Sequence, residues 1–168
     1  MSLTAAVINA GIGDLSLGLQ MAGFQIAVAF EADERAAAIH RTNLHNEVVP
    51  LSLERIEPSM LPNIDLLAAR IRLSSRNSPV QDHAASNLLH LLERHRPRGV
   101  FLTFGSASPN QDRFNYFLGQ LVKMGYSFQY RKVDVAQAIG IPVKESILYL
   151  VATAEYTSDV IPDIFFPK

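Results

Sequence analysis

No cysteine occurs anywhere in the 168 residues. That absence excludes disulfides, thiolate metal sites and a cysteine nucleophile. Net charge is almost absent as well. Fifteen lysines and arginines face sixteen aspartates and glutamates, so no global field draws the chain to nucleic acid or to a membrane surface. No apolar run reaches the roughly 18 residues that a bilayer-spanning helix needs. The N-terminus has no basic segment ahead of an apolar stretch, as a secretory leader would. The expectation from these absences is a cytoplasmic protein without membrane association. The five histidines (His40, His45, His83, His90 and His95) show no ligand spacing with carboxylates, so no metal is expected. Ser106 and Ser108 lie in a loop of small residues without a Gly-x-Ser-x-Gly elbow, which argues against a serine hydrolase.

What is present is an alternation of short apolar runs and helical segments. Strands are expected at Thr4 to Asn9, Phe24 to Phe30, Val48 to Leu53, Ile64 to Ala69 and Val100 to Phe104. Helices are expected at Leu15 to Ala22 with Asp14 as N-cap, at Asp33 to Asn43, at Asp82 to His95 and at Gln111 to Met124. The last helix places Phe114, Phe117, Leu118, Leu121 and Val122 on one face. Arg70 to Gln81 reads as a loop. Phe128 to Val135 and Ile147 to Ala152 read as two further strands joined through a Gly140-Ile141-Pro142 turn. Strands alternating with helices imply a parallel sheet covered on both faces, and the closely spaced final strands imply an antiparallel edge. The chain shows no repeat and no dividing linker. One domain is expected over residues 1–155, with 156–168 as an irregular tail.

The first 33 residues carry the most information. Ile8-Asn9-Ala10-Gly11-Ile12-Gly13-Asp14 links the first strand to the first helix, and Glu31-Ala32-Asp33 follows the second strand. In folds of this kind ligands sit at the carboxyl ends of the strands, beside the first helix. Glycine at 11 and 13 lets backbone approach a ligand without a Cβ in the way. Glu31 is placed to accept hydrogen bonds from ribose hydroxyls. The spacing suits a dinucleotide or S-adenosylmethionine. The dinucleotide fingerprint, however, wants a third glycine where Ser16 stands. Asp14 near a helix N-terminus would also repel a pyrophosphate. A cofactor with a sulfonium and a free amino group is penalised less by that aspartate.

Ala10-Gly11-Ile12-Gly13, Leu15-Ser16-Leu17-Gly18-Leu19, Ala22-Gly23-Phe24 and Glu31-Ala32-Asp33 together resemble the opening of DNA cytosine-5 methyltransferases. Three separated elements fall in register over about 25 residues, and a looser likeness runs to the end of the chain. The resemblance implies a three-layer, Rossmann-like fold of the S-adenosylmethionine-dependent methyltransferase type, with a mostly parallel sheet and an antiparallel C-terminal edge. It also implies S-adenosylmethionine as cofactor, held by Ala10, Gly11, Ile12, Gly13 and Glu31. Ala32 stands where a larger residue often stacks on adenine. Ser52 stands about where the family usually has an aspartate that reads the adenine amino group. Asn9 replaces the family's usual phenylalanine, and Asp14 replaces the last glycine of the motif.

The reactive motifs depart further. After Asp65-Leu66-Leu67 the family has Gly-x-Pro-Cys-Gln, whereas here Ala68-Ala69-Arg70-Ile71-Arg72-Leu73-Ser74 follows. The nucleophile position falls at or near Leu73. The chemistry needs a thiolate to add to cytosine C6, and neither leucine nor a nearby serine supplies one. Thr103 and Phe104 stand where the family has Glu-Asn. Gly140-Ile141-Pro142-Val143-Lys144-Glu145 stands where it has Gly-x-Pro-Gln-x-Arg, with its arginines lost. The family's target-recognition region follows the last strand, and this chain ends soon after it. The expectation is a degenerate relative without catalytic residues.

Two arginine clusters remain. Arg94, Arg96 and Arg98 read as solvated charge at a helix end. Arg70, Arg72 and Arg76 lie where the family's DNA-facing loop begins, so phosphate contact and solvated charge are both open for them. Three roles are consistent with this reading. One is a non-catalytic homologue acting through a protein partner, such as an active methyltransferase, or through DNA. Another is an S-adenosylmethionine sensor or supplier. The last is an enzyme of different chemistry built around Asp14, Glu31 and Asp65.

Overall fold

The computed structural model describes residues 2–71, 79–105, 111–136, 140, 142 and 145–154. They contain strands β1 (Thr4–Ile8), β2 (Gln25–Phe30), β3 (Val48–Val49), β4 (Leu66–Ile71), β5 (Gly99–Phe104), β6 (Ser127–Asp134) and β7 (Ser146–Thr153). The helices are α1 (Asp14–Met21), α2 (Glu34–Leu44), α3 (Pro79–His95) and α4 (Gln111–Lys123). The strands form one sheet in the order β3-β2-β1-β4-β5-β7-β6. β1 lies in the interior of the sheet and pairs in parallel with both β2 and β4. Its Ala5, Ala6, Val7 and Ile8 are all fully buried, as befits a strand covered on both faces. Ala5 and Val7 point into a core beneath α1 and α2 with Leu19, Ala29, Ala37 and Ala68. Ala6 and Ile8 point the other way, to Leu88, Leu91 and Leu92 of α3 and to Phe114 and Phe117 of α4. Period-two alternation thus serves two helical layers at once. β7 is antiparallel to both β5 and β6, as the spacing of the last strands anticipates.

The winding reverses between β1 and β4. β1, β2 and β3 step toward one edge of the sheet, and β4 and β5 step toward the other. β1 leads to α1 on one face of the sheet and β4 leads to α3 on the other, and the crevice at the carboxyl ends of such a strand pair is where this architecture accommodates ligands.

Several boundaries differ from expectation for local reasons. The third strand ends at Val49, because Pro50 has no N–H to continue the ladder. The chain then folds into two short 3-10 turns, Leu53–Arg55 and Pro58–Met60. Leu53, Ile56 and Leu61 from this stretch are buried. Asn87 of α3 fastens it by donating to the Leu53 carbonyl at 2.6 Å and the Ile56 carbonyl at 3.0 Å. Arg70 and Ile71, expected in a loop, belong to β4 and pair with Thr103 and Phe104. α3 begins at Pro79, where a missing N–H costs nothing in the first turn. On α4 the expected apolar face holds for Phe114, Phe117, Leu118 and Leu121, but Val122 is 60% exposed. The 156–168 tail and Ile141 of the expected turn lie outside the described residues.

Candidate functional site

The link from β1 to α1 is built from residues with positive φ: Asn9 (53°), Gly11 (58°) and Gly13 (105°). The N-cap of α1 is Gly13 in a left-handed conformation, and Asp14 lies in the first helical turn without capping it. The two glycines serve different purposes. A Cβ on Gly13 would sit 2.8 Å from Leu44 Cδ1 and 3.0 Å from His40 Cδ2, so this glycine lets the turn pack against α2. A Cβ on Gly11 would meet only Arg70 Nη1 at 3.5 Å and Asp14 Oδ1 at 3.6 Å. Gly11 therefore faces charged side chains at the crevice. Ala10 is buried and its N–H donates to the Phe30 carbonyl at 3.0 Å, while Ile12 is 55% exposed at the tip of the turn.

Glu31 directly follows β2, and its N–H is held by the Val49 carbonyl at 3.1 Å. Its carboxylate bridges two backbone segments. Oε2 accepts from Gly11 N–H at 2.7 Å and Oε1 accepts from Asp33 N–H at 2.9 Å. Each oxygen keeps a second acceptor site. Ala32 is exposed. Asp33 is the N-cap of α2 and accepts from the amides of Arg35 (2.8 Å) and Ala36 (3.0 Å). These bonds, first that from Ala36, hold its carboxyl below the ordinary carboxylate value. Ser52 is half-buried just beyond β3, at the head of the first 3-10 turn, and its hydroxyl does not cap that turn.

Opposite Glu31, at the β4 side of the turn, Arg70 forms an ion pair with Asp14. Asn9 Nδ2 donates to the Arg70 carbonyl at 2.8 Å and ties the ends of β1 and β4 together. Beside Arg70 in the sheet register stands Thr103, which is 8% exposed and whose Oγ1 has no hydrogen-bond partner. Thr103 in turn registers with Tyr149 of β7. Burial raises the Tyr149 phenol above its ordinary pKa, and the nearby Arg70 charge opposes that rise. Beneath the turn lies His40, fully buried, with Nδ1 unpartnered and Nε2 at 3.5 Å from Asn46 Nδ2. Desolvation lowers its pKa, against the pull of the Asp14 and Glu31 carboxylates.

Other expected groups lie elsewhere. Asp65 precedes β4 at its amino end and accepts from Thr4 N–H at 2.8 Å and Thr4 Oγ1 at 3.1 Å. It clamps two strand starts at the opposite end of the sheet from Glu31 and Asp14, so the three carboxylates form no cluster. Arg96 precedes β5 and donates through Nη1 to the Met124 carbonyl at 3.0 Å, a structural use of the second arginine cluster. Arg72, Leu73, Arg76, Ser106 and Ser108 fall outside the described residues. Among the described residues no three of His, Asp and Glu converge as a metal site would require, and no helix is long and apolar enough to cross a membrane. The Asp14–Arg70 pairing and the role of Asn9 were not legible in the sequence. The one signal was that all three flank strand carboxyl ends.

A doubly wound sheet in the order 3-2-1-4-5-7-6, with glycine turn and acid at the ends of its first two strands, defines the fold of S-adenosylmethionine-dependent methyltransferases. The crystal structure of S. pombe Dnmt2 methyltransferase superposes with a TM-score of 0.79 at 17% identity, over 92% of this chain and 50% of that one. Residues 5–70 match the family model for C-5 cytosine-specific DNA methylase. The type II methyltransferase M.Bsp6I of Bacillus sp. (strain RFL6) is 24% identical over 89% of this chain and 51% of its own length. The type II methyltransferase M.NaeI of Lentzea aerocolonigenes is 29% identical over 90% of this chain and 40% of its own length. The chain is thus similar to C-5 cytosine-specific DNA methylases over residues 5–70, and it spans about half or less of the length of these curated relatives.

Proposed function

We propose that this chain is a cofactor-binding but non-catalytic cytosine-5 methyltransferase-like domain that acts through a protein or DNA partner. The observation that carries the reading is the Glu31 carboxylate, held by two backbone amides at the crevice mouth. A carboxylate fixed in this way keeps acceptor capacity for a ribose diol without having to be ordered on binding. The residues present fit S-adenosylmethionine. Glu31 would hold the ribose, the Ala10–Gly13 backbone would lie along the ligand, and Ala32 and Ser52 would border the adenine. Bound there, the cofactor is a methyl donor through its sulfonium.

The same residues do not supply the rest of cytosine-5 chemistry. The 168 residues hold no thiol to attack the base. Thr103, at the position of the family's glutamate, is buried and uncharged. Arg70 stands where the family's strand runs into its cysteine loop, and its charge is engaged with Asp14. Action through a protein or DNA partner, an active methyltransferase among the candidates, accounts for a domain that keeps the cofactor-side residues without the reactive ones.

Calorimetric titration with S-adenosylmethionine and S-adenosylhomocysteine tests the first half of this reading. Micromolar binding is expected, and its absence defeats the cofactor role. Incubation with labelled S-adenosylmethionine and duplex DNA tests the second half. Label in the DNA would defeat the non-catalytic reading.

A further inference from the structure

We propose that Asp14 and Arg70 are a recognition pair for an amino-acid zwitterion and that they select the methionine end of the cofactor. The inference rests on the reading that the crevice binds S-adenosylmethionine, and it adds the residues that distinguish that ligand from other nucleosides.

Three observations carry it. First, the pair spans the crevice. Asp14 opens α1, Arg70 is near the carboxyl end of β4, and their ion pair joins the two sides of the switch point. Both charged groups lie beside Gly11, since a Cβ there would be 3.5 Å from Arg70 Nη1 and 3.6 Å from Asp14 Oδ1. Second, the pair has a built support. Asn9, held at φ 53°, donates to the Arg70 carbonyl at 2.8 Å and fixes where the arginine leaves the strand. Asn9, Asp14 and Arg70 all depart from the residues of the motifs they occupy, and they are joined to one another. Third, Glu31 holds the same Gly11 by its N–H. The turn is therefore flanked by a ribose-type acceptor on one side and a mixed-charge pair on the other.

The chemistry follows from that order of charges. An α-amino acid carries an ammonium and a carboxylate on one carbon. Placed between Asp14 and Arg70, its ammonium meets the aspartate and its carboxylate meets the guanidinium, in the two-pronged geometry that arginine favours. Opening the pair to admit it costs little, because Asp14 and Arg70 are 55% and 43% exposed and exposed ion pairs are weak. A pyrophosphate in the same place would gain the arginine but face the aspartate. A neutral nucleoside would gain neither.

The test compares S-adenosylhomocysteine, which has the zwitterion, with 5′-methylthioadenosine, which keeps the nucleoside and thioether but lacks it. Dissociation constants are measured by calorimetry for the wild type, Asp14→Asn, Arg70→Gln and Arg70→Lys. The wild type should hold S-adenosylhomocysteine at least about tenfold more tightly, as expected for charge-assisted bonds. Asp14→Asn and Arg70→Gln should each erase most of that margin while leaving 5′-methylthioadenosine unchanged, and Arg70→Lys should restore part of it. Equal wild-type affinity for the two ligands overturns the pair's role while leaving the cofactor reading intact, and it needs no variant to fold. Tighter S-adenosylhomocysteine binding by Arg70→Gln overturns it also, since the arginine would then be an obstruction. If the wild type binds neither ligand, the cofactor reading itself fails and the inference falls with it.

Discussion

Glu31 shows how much one side chain can organise. It joins the first glycine of the β1–α1 turn to the start of α2, so the two elements bordering the crevice share one carboxylate. Removing it should act on both ligand and fold. Glu31→Ala is expected to weaken S-adenosylhomocysteine binding by about 1–3 kcal/mol through lost charge-assisted bonds, and an unchanged dissociation constant in calorimetry would remove Glu31 from the site. Gly13 is constrained differently. Its φ of 105° and the 2.8 Å approach that a Cβ would make to Leu44 mean that Gly13→Ala combines backbone strain with a clash. A loss of about 1–3 kcal/mol is expected by urea denaturation; a variant as stable as wild type would show that the turn can relax. His40 sets a pH dependence. It is buried and resists protonation in the folded state, whereas the unfolded chain takes up the proton near 6.5. Below that value the unfolded state binds more protons, so stability falls as pH drops, with a slope of at most about 1.4 kcal/mol per pH unit. This window lies above that of Asp33 and Asp65, whose carboxyls backbone amides hold below 3.8. Denaturation of wild type and His40→Gln at several pH values checks it, and identical slopes would exclude His40 as the cause.

At the scale of elements, α3 is the main prop of the layer under β1 and β4. Leu88, Leu91 and Leu92 are fully buried against the sheet, and Asn87 and His95 on the same helix hold the stretch after β3 through the carbonyls of Leu53, Ile56 and Leu61. Leu91→Ala should therefore cost about 2–5 kcal/mol, measured by chemical denaturation. A cost below 1 kcal/mol would mean that the layer collapses around the gap. The elements were largely legible because each carries a period suited to its burial. β1 is a continuous apolar run, and α4 spaces Phe114, Phe117, Leu118 and Leu121 along one stripe. The misreadings fell where a local rule competed with a tertiary one. Val48 to Leu53 has strand composition, yet Pro50 stops the ladder and Leu53 is drawn under α3 instead. Arg70 looks like loop by polarity, yet its backbone pairs with Thr103 while its side chain turns out to Asp14.

For the whole molecule, the proposed reading of a cofactor-binding, non-catalytic domain carries a prediction about the reaction. Restoring one atom of chemistry should not restore the reaction. Leu73→Cys is expected to show no methyl transfer to duplex DNA, because Thr103 remains in place of the carboxylate and Glu145 in place of an arginine. Methyl transfer by this single variant would show those two positions to be dispensable.

The sequence by itself determined the sheet's parallel core, its antiparallel edge, the glycine turn with its facing acid, and the absence of a thiol. Each of these is a property of near neighbours along the chain or of composition, and period, turn chemistry and residue counts are local quantities. Only the tertiary structure decided which charges meet. Asp14 and Asp65 look equivalent in the sequence, yet β4 runs between them. One carboxylate ends beside Gly11, paired with Arg70, and the other clamps Thr4 at the far end of the sheet. Charge pairing depends on distance in space. Strand order and register set that distance, and the separation of two residues along the chain does not encode it.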